Sequence, residues 1–282
     1  MFDRFARSWR LVKASAAVLG SDKSLLVFPL LSGMAALAVL LCFALPMVGM
    51  AAMDRMTHTA GPGMGLAVLG FLFYLTNYFV MFFFNAALVF AAMKRLNGEA
   101  PTVAECLRAA AARWASLLGY AAIAATVGML LRALQERAGW LGRIVVGLIG
   151  MVWTVATYLV VPVLVARDVG PIQAVQESVG LLRKTWGENL VGQAGIGIIF
   201  AFVNVGIIIA GALLLLAAVA SGNALAIALA LSVAIVALIA SALVHSALSG
   251  IYAAALYRYA TGEGETAGFD AYSLQGAFAA RT

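Results

Sequence analysis

The residues that could do chemistry in this sequence are few, and they lie inside long apolar stretches. His245 is the one histidine in such a stretch, within "SALVHSALSG". Ser241 and Ser249 lie four residues to either side, so the three side chains share one face of a helix. Such a histidine favours either a hydrogen bond across a helix–helix contact or a site for a proton or ligand. Both interpretations stay open from the sequence.

Three asparagines and two prolines lie in similar surroundings. An amide in an apolar stretch either ties neighbouring helices together or, where several converge, lines a polar pathway. The asparagines are Asn77, Asn85 and Asn204. Pro29 in "VFPLL" and Pro162 in "VVPVL" each remove one backbone hydrogen bond and are possible kink positions.

Enzymatic chemistry is not predicted. Every Asp and Glu lies outside the apolar stretches, only two histidines are present, and no order of Ser, His and Asp has a supporting context. Cys42 and Cys106 are the only cysteines, which supports neither a disulfide framework nor a cysteine metal site. The sequence predicts no catalytic residues, no metal and no cofactor.

The elements that hold these residues are membrane spans. Of the 282 residues, 64% are hydrophobic and 11% charged, whereas soluble domains carry about 25% charged residues. A helix needs about 20 largely apolar residues to cross a bilayer. Six stretches meet this condition, at about 25–53, 64–93, 115–134, 143–166, 189–219 and 224–258.

The basic residues predict the orientation of the spans. Fourteen of the 18 Lys and Arg residues fall before span 1, between spans 2 and 3, between spans 4 and 5, or after span 6. The positive-inside rule therefore places both termini in the cytoplasm, with the first span as an uncleaved anchor. Basic residues at a cytoplasmic face favour anionic lipid headgroups as partners. Binding of nucleic acid is not predicted, because the basic residues do not lie on a soluble face.

Three more polar stretches each precede a pair of spans, and their apolar residues recur at intervals of three and four. This spacing predicts amphipathic helices at the cytoplasmic interface, with a tryptophan of each at headgroup depth. They either anchor the bundle on lipid, or collar an opening or dock a partner. The tryptophans are Trp9, Trp114 and Trp186. In the third stretch, the apolar residues are Ile172, Val175, Val179, Leu182 and Trp186.

The predicted fold is all-α, a polytopic bundle of six transmembrane helices with three cytoplasmic interfacial helices. Residues 1–260 form one transmembrane domain of three units, at about 1–93, 99–166 and 170–260, and 261–282 form a flexible cytoplasmic tail. The repeated unit reflects either duplication or the need for a helical elbow before each return to the membrane.

Several segments resemble a known family. "SWRLVKAS", "DKSLLVFPLLSG", "GPIQAVQESVGLLRKTWGENL" and "FDAYSLQGAF" look like an uncharacterised family of bacterial six-span membrane proteins, catalogued only as a domain of unknown function. The resemblance covers most of the chain and implies a bacterial inner-membrane location without catalytic residues. About 35 N-terminal residues, through "LLVFPLLSG", are also similar to CysZ-type sulfate permeases, and no binding residue is carried over from them.

Two functions fit these observations. The first is passive permeation or transport of a small solute, ion or lipid, for which a homo-oligomer is one candidate assembly. The second is a non-transporting membrane scaffold or lipid-organising protein. Many ion-coupled carriers hold Asp, Glu, Lys or Arg within the bilayer, and this chain has none well inside its spans. The first function is therefore expected in its passive form.

Overall fold

The computed structural model describes residues 16–56, 64–184 and 186–262. Within these ranges the regular structure is helical and no strand occurs. A helical segment over 16–21 and a 3-10 helix, Lys23–Leu26, come first. The α-helices that follow are α1 Val27–Met56, α2 Met64–Leu96, α3 Val103–Ala112, α4 Trp114–Arg137, α5 Trp140–Ala156, α6 Val160–Ala166, α7 Pro171–Lys184, α8 Trp186–Ala220 and α9 Ala224–Thr261.

The predicted fold class is confirmed, with six stretches of helix in the described residues long and apolar enough to cross a membrane. They are α1, α2, α4, α5 together with α6, α8 and α9. The two short helices α3 and α7 lie where two of the three interfacial helices are expected. The first interfacial helix falls largely on residues outside the described ones, as does nearly all of the predicted tail.

Helix α2 lies at the centre of the bundle. It packs against α1, α4 and α9, and also against the short helices α3 and α6. Helix α8 packs mainly on α9, and α5 packs on α4. The outer spans are therefore held through α9 and α4, and α2 contacts most of the remaining helices.

The buried core lies toward the end of the bundle that carries α3 and α7. On α2 the buried residues run from Phe82 to Leu96, and on α9 a continuous buried stretch runs from Ile251 to Tyr257. Four of the buried positions on α2 are alanines, at 86, 87, 91 and 92, and these small side chains allow neighbouring helices to approach closely. Toward the other end, the spans expose large apolar side chains such as Leu45, Met64 and Leu216. Lipid can cover such side chains as well as protein can.

The fourth span is interrupted at residues 157–159, between α5 and α6. Pro162 explains this position, because a proline in a helix has no N–H and its ring clashes with the carbonyl four residues earlier, here that of Tyr158. Fully buried Ser178 of α7 bridges the interruption. Its Oγ donates to the Ala156 carbonyl at 2.8 Å and accepts from the Leu159 N–H at 3.2 Å. The short helix α7 thus satisfies backbone groups of the broken span.

Ion pairs tie the helices together at the same end. Arg95 Nε, at the end of α2, donates to Asp22 Oδ2 at 2.6 Å, which joins the start of the first span to the end of the second. Burial pushes the pKa of Asp22 upward, but hydrogen bonds from Ser24 and the Arg95 guanidinium outweigh it and hold that pKa below its ordinary value. Arg113, at the break between α3 and α4, pairs with Asp168 in the loop before α7.

The two short helices each bury one face. Thr102 caps α3: its Oγ1 accepts from the Glu105 N–H at 3.3 Å, and Glu105 Oε2 accepts from the Thr102 N–H at 3.0 Å. On α7, the buried residues are Ala174, Ser178 and Leu182. Of the stripe residues whose side chains the structure describes, Leu182 is buried, Val175 and Val179 are half-buried and Ile172 is 66% exposed. The face that contacts the bundle therefore includes small residues that do not belong to the apolar stripe, and lipid contact by the stripe stays a prediction.

Candidate functional site

A half-open pocket of about 320 Å³ lies between α1, α2 and α9. Asn85 is ten residues from Arg95 on α2, so the pocket lies about 15 Å along the helix from the charged end of the bundle. This depth falls within the apolar part of the spans. The lining residues that carry a polar side chain are Ser32, Asn85, Tyr158, His245, Ser246 and Ser249.

Asn85 contributes an amide to this pocket from the centre of α2. Gly250 of α9 lies directly opposite: a Cβ at that position would be 3.4 Å from Asn85 Oδ1 and 2.5 Å from Leu88 Cδ2. The absence of a side chain at Gly250 lets α9 approach α2 closely beside the amide. Among the described residues the Asn85 side chain makes no hydrogen bond.

His245 enters the same pocket from α9. Its ring packs against Phe200 of α8, with the ring centroids 4.8 Å apart and the planes tilted by 51°. No hydrogen bond or ion pair of the imidazole occurs among the described residues. The hydrogen bond expected across this helix contact is made one turn earlier, where Ser241 Oγ donates to Asn204 Oδ1 at 2.8 Å.

The three asparagines and the histidine that the sequence singles out thus fall into two groups. Asn204 is held by Ser241, and Asn77 Nδ2 donates to the Phe73 carbonyl of its own helix at 3.4 Å. These two asparagines have protein partners outside the pocket. Asn85 and His245 both line the pocket, so of the four candidates it is these two that a ligand there could meet.

Tyr158 is a pocket residue that sequence reasoning missed. It lies in the interruption of the fourth span, and its hydroxyl donates to the Ser249 carbonyl of α9 at 3.2 Å. Its position four residues before Pro162 is the signal that could have identified it, because this is where a proline forces a helix to break. Ser32 was missed as well, since a single serine early in an apolar span carries no pattern.

The two prolines occupy different settings. Pro29 is the third residue of α1, where the N–H groups of a helix have no partner within it, and its buried ring lines the pocket. Pro162 lies in the first turn of α6, directly after the interruption. Pro46, which the sequence analysis did not single out, is the proline in the interior of α1.

The predicted tryptophan anchors are placed only in part. Trp114 is the first residue of α4, directly after the break at Arg113, and its side chain is 57% exposed. Trp186 begins α8 instead of ending α7. Trp9 lies outside the described residues. Lipid contact by these side chains stays a prediction.

Other kinds of site have little support in the described part of the chain. There, no group of three or more His, Cys, Asp and Glu side chains could hold a metal ion. Cys106 is buried in α3 and Cys42 is exposed on α1, and neither forms a disulfide. Burial, and then the neighbouring Glu105 carboxylate, raise the pKa of the Cys106 thiol to about 11, which makes it a poor nucleophile.

The chain belongs to DUF6159, a family of unknown function, and the match covers residues 63–269. This range includes α2 to α9 and with them most of the pocket. The expected membership in an uncharacterised family is therefore confirmed. No curated protein matches the sequence. The N-terminal likeness to CysZ-type permeases lies outside the matched range and stays a resemblance.

Proposed function

We propose that this multi-pass membrane protein binds a membrane amphiphile in the pocket between α1, α2 and α9 and carries out passive transport of that lipid. The observation that carries the proposal is that Asn85 and His245 line the same intramembrane pocket. We also place the protein in a bacterial inner membrane with both termini in the cytoplasm. The proposal involves no catalytic step.

The energetics of unpaired polar groups support a ligand with a polar head. A buried polar group without a hydrogen bond costs about 1–3 kcal/mol, and hydrocarbon offers no replacement partner. Asn85 and His245 both lie in a span, and among the described residues neither side chain has a hydrogen-bond partner. A polar head in the pocket would satisfy them, with its acyl chains left in the surrounding lipid.

The shape of the pocket favours lateral entry. Fully buried Phe28 and Leu88 form part of its wall, whereas Met81 and Ser246 are exposed at its rim. The pocket is therefore closed by the core on one side and open at the surface of the bundle. A ligand that arrives from within the membrane fits this arrangement better than an ion that arrives from water.

The charge of the pocket supports passive movement. Its lining contains no Asp, Glu, Lys or Arg, which are the side chains that many coupled carriers use to bind protons or ions. The charged residues at the end of the bundle lie instead in pairs such as Asp22 with Arg95. The exposed basic residues at that end of the bundle are suited to contact with anionic headgroups.

The binding step is tested by native mass spectrometry of the protein released from lipid nanodiscs. We expect the wild type to retain a lipid, and Asn85→Leu and His245→Leu each to bind it about tenfold more weakly, because each removes one polar contact of about 1.4 kcal/mol. Asn77→Leu and Asn204→Leu are the matched controls: both remove an intramembrane amide outside the pocket and should keep the lipid. Equal retention by all four variants would contradict the proposal. The same spectra count the subunits.

The transport step is tested separately in vesicles that contain a fluorescent lipid in both leaflets. A membrane-impermeant reductant quenches the outer leaflet, and quenching of the rest reports movement across the bilayer. We expect wild-type protein to accelerate this movement and His245→Leu to abolish the acceleration.

The alternative is a non-transporting scaffold or lipid-organising protein, and the ion pairs at the α3 and α7 end favour it. Asp22 with Arg95 and Arg113 with Asp168 connect separate segments of the chain at this end. Retention of a lipid without accelerated movement would support this second function.

A further inference from the structure

We infer that the pocket selects a lipid whose head is uncharged and carries hydroxyl and carbonyl groups, as in a diacylglycerol. This inference rests on the proposed function and names its ligand class. It follows from the kinds of side chain that line the pocket, their remaining hydrogen-bonding capacity and the volume that they enclose.

The lining disfavours an anionic head. No Lys or Arg contributes to it, and His245 is the only basic side chain there. A phosphate moved from water into such surroundings loses its hydration without gaining a fixed counter-charge, which is far more costly than moving a neutral group. Four of the arginine and lysine residues at the charged end of the bundle contact carboxylates instead, in the pairs Lys94 with Glu99, Arg95 with Asp22, Arg113 with Asp168 and Arg167 with Glu177.

The polar side chains offer both donors and acceptors. The Asn85 amide can donate two hydrogen bonds and accept others, and the hydroxyls of Ser32 and Ser246 can do either. The Tyr158 hydroxyl already donates to the Ser249 carbonyl, so its oxygen is left as an acceptor. A head with one hydroxyl and two ester carbonyls matches this mixture: the hydroxyl can donate to Tyr158, and the carbonyls can accept from Asn85 and a serine.

The volume is consistent with a small head. At about 320 Å³ the pocket lies at the lower end of the range for ligand sites, about 300–1,000 Å³. It therefore holds a glycerol backbone with its ester groups but not a whole lipid. The acyl chains would leave past the exposed rim residues Met81 and Ser246.

Dioleoylglycerol and dioleoylphosphatidic acid test this selection, because they have the same acyl chains and differ only in the phosphate. Each is added in competition to the delipidated full-length protein, and the bound fraction is read by native mass spectrometry. We expect wild-type protein to bind dioleoylglycerol at least tenfold more tightly than dioleoylphosphatidic acid, and Asn85→Leu to bind dioleoylglycerol about tenfold more weakly than wild type while Asn77→Leu binds it equally well. Equal or tighter binding of dioleoylphosphatidic acid by the wild type would overturn the inference and leave the proposed function standing. Binding of neither lipid, with no lipid retained from nanodiscs, would instead contradict the proposed function.

A charge introduced at the rim gives a second, independent measurement. Ser246 lines the pocket and is exposed, so Ser246→Lys can be accommodated without repacking the core. The new ammonium supplies the counter-charge that the pocket lacks, and we expect the preference to move at least tenfold toward dioleoylphosphatidic acid. Ser232→Lys, at an exposed position of α9 outside the pocket, is the control and should leave the preference unchanged. An unaltered preference in Ser246→Lys would show that charge at this pocket does not determine selection.

Discussion

Ser178→Ala tests whether one side chain of α7 holds the interrupted fourth span together. The Ser178 hydroxyl is the partner of both the Ala156 carbonyl and the Leu159 N–H. Alanine fills nearly the same space but leaves both backbone groups without this partner. The expected result is a loss of global stability, because the break then contains two backbone groups without their partner, one of them at fully buried Leu159.

The size of the effect depends on whether those groups can find new partners. Interhelical hydrogen bonds in membranes contribute on average only about 0.6 kcal/mol, since the groups find other partners in the unfolded state. Ala156 and Leu159 present backbone groups that are fixed by the helices on either side, and water does not replace Ser178 in a packed core. The penalty for unsatisfied buried groups, about 1–3 kcal/mol each, therefore dominates. We expect Ser178→Ala, which leaves two such groups, to lower the free energy of unfolding by about 2–6 kcal/mol.

Cys106 provides the assay. Its side chain is 1% exposed and its pKa is raised to about 11, so a thiol-reactive dye labels it slowly until the protein unfolds. Labelling of a Cys42→Ala background at increasing mole fractions of SDS gives the free energy of unfolding. Thr154→Ala is the matched control, because it removes an exposed hydroxyl of the same span that bonds only its own helix, and it should change stability by less than about 0.5 kcal/mol. A loss in Ser178→Ala no larger than that of the control would refute the reasoning.

Two further predictions concern the ends and the centre of the bundle. Asp22→Asn should destabilise by about 1–2 kcal/mol at pH 7. The folded pKa of Asp22 lies below its ordinary 3.8, so the stability difference between wild type and Asp22→Asn should persist above pH 3.8 and vanish as the pH falls through the folded pKa. A stability difference that stays constant to low pH would contradict the pairing with Arg95. Gly250→Ala should destabilise the protein by about 1–3 kcal/mol, since the added Cβ would lie 2.5 Å from Leu88 Cδ2. Gly206→Ala is the control, because the space around Gly206 is open, and it should not destabilise the protein. Unfolding in SDS measures both variants. Equal effects would contradict the close contact of α9 with α2.

The spans were predictable because a membrane imposes a strong condition on sequence. Each crossing needs about 20 apolar residues in a helix that satisfies its own backbone, and hydropathy reports this directly. The third span illustrates the agreement: 115–134 was predicted and the structure has Trp114–Arg137. The interruption of the fourth span was predictable in position from Pro162, but the partner that stabilises it was not, since Ser178 lies 16 residues further along the chain.

The contact face of α7 shows what hydropathy does not report. The apolar residues Ile172, Val175 and Val179 predict a face at the membrane interface, and the structure buries Ala174 and Ser178 against the bundle. Lipid accepts an apolar side chain as readily as a protein core does, so an apolar stripe beside a membrane does not identify which neighbour it contacts. In the structure the bundle contacts the small residues of α7, where close approach and the bond to the interrupted span are possible.

The same limit explains why the pocket could not be located from the sequence. Asn77 and Asn85 have the same chemistry and lie eight residues apart on one helix, which rotates their side chains by only about 80° around its axis. Spacing and hydropathy are nearly equal for the two, yet one amide bonds the carbonyl of Phe73 and the other lies opposite Gly250. What separates them is the neighbouring helix, because α9 reaches Asn85 through a position without a side chain. The neighbouring helix thus determines whether a polar side chain in a span makes a packing contact or lines a pocket. Which helix is the neighbour is known only from the assembled bundle.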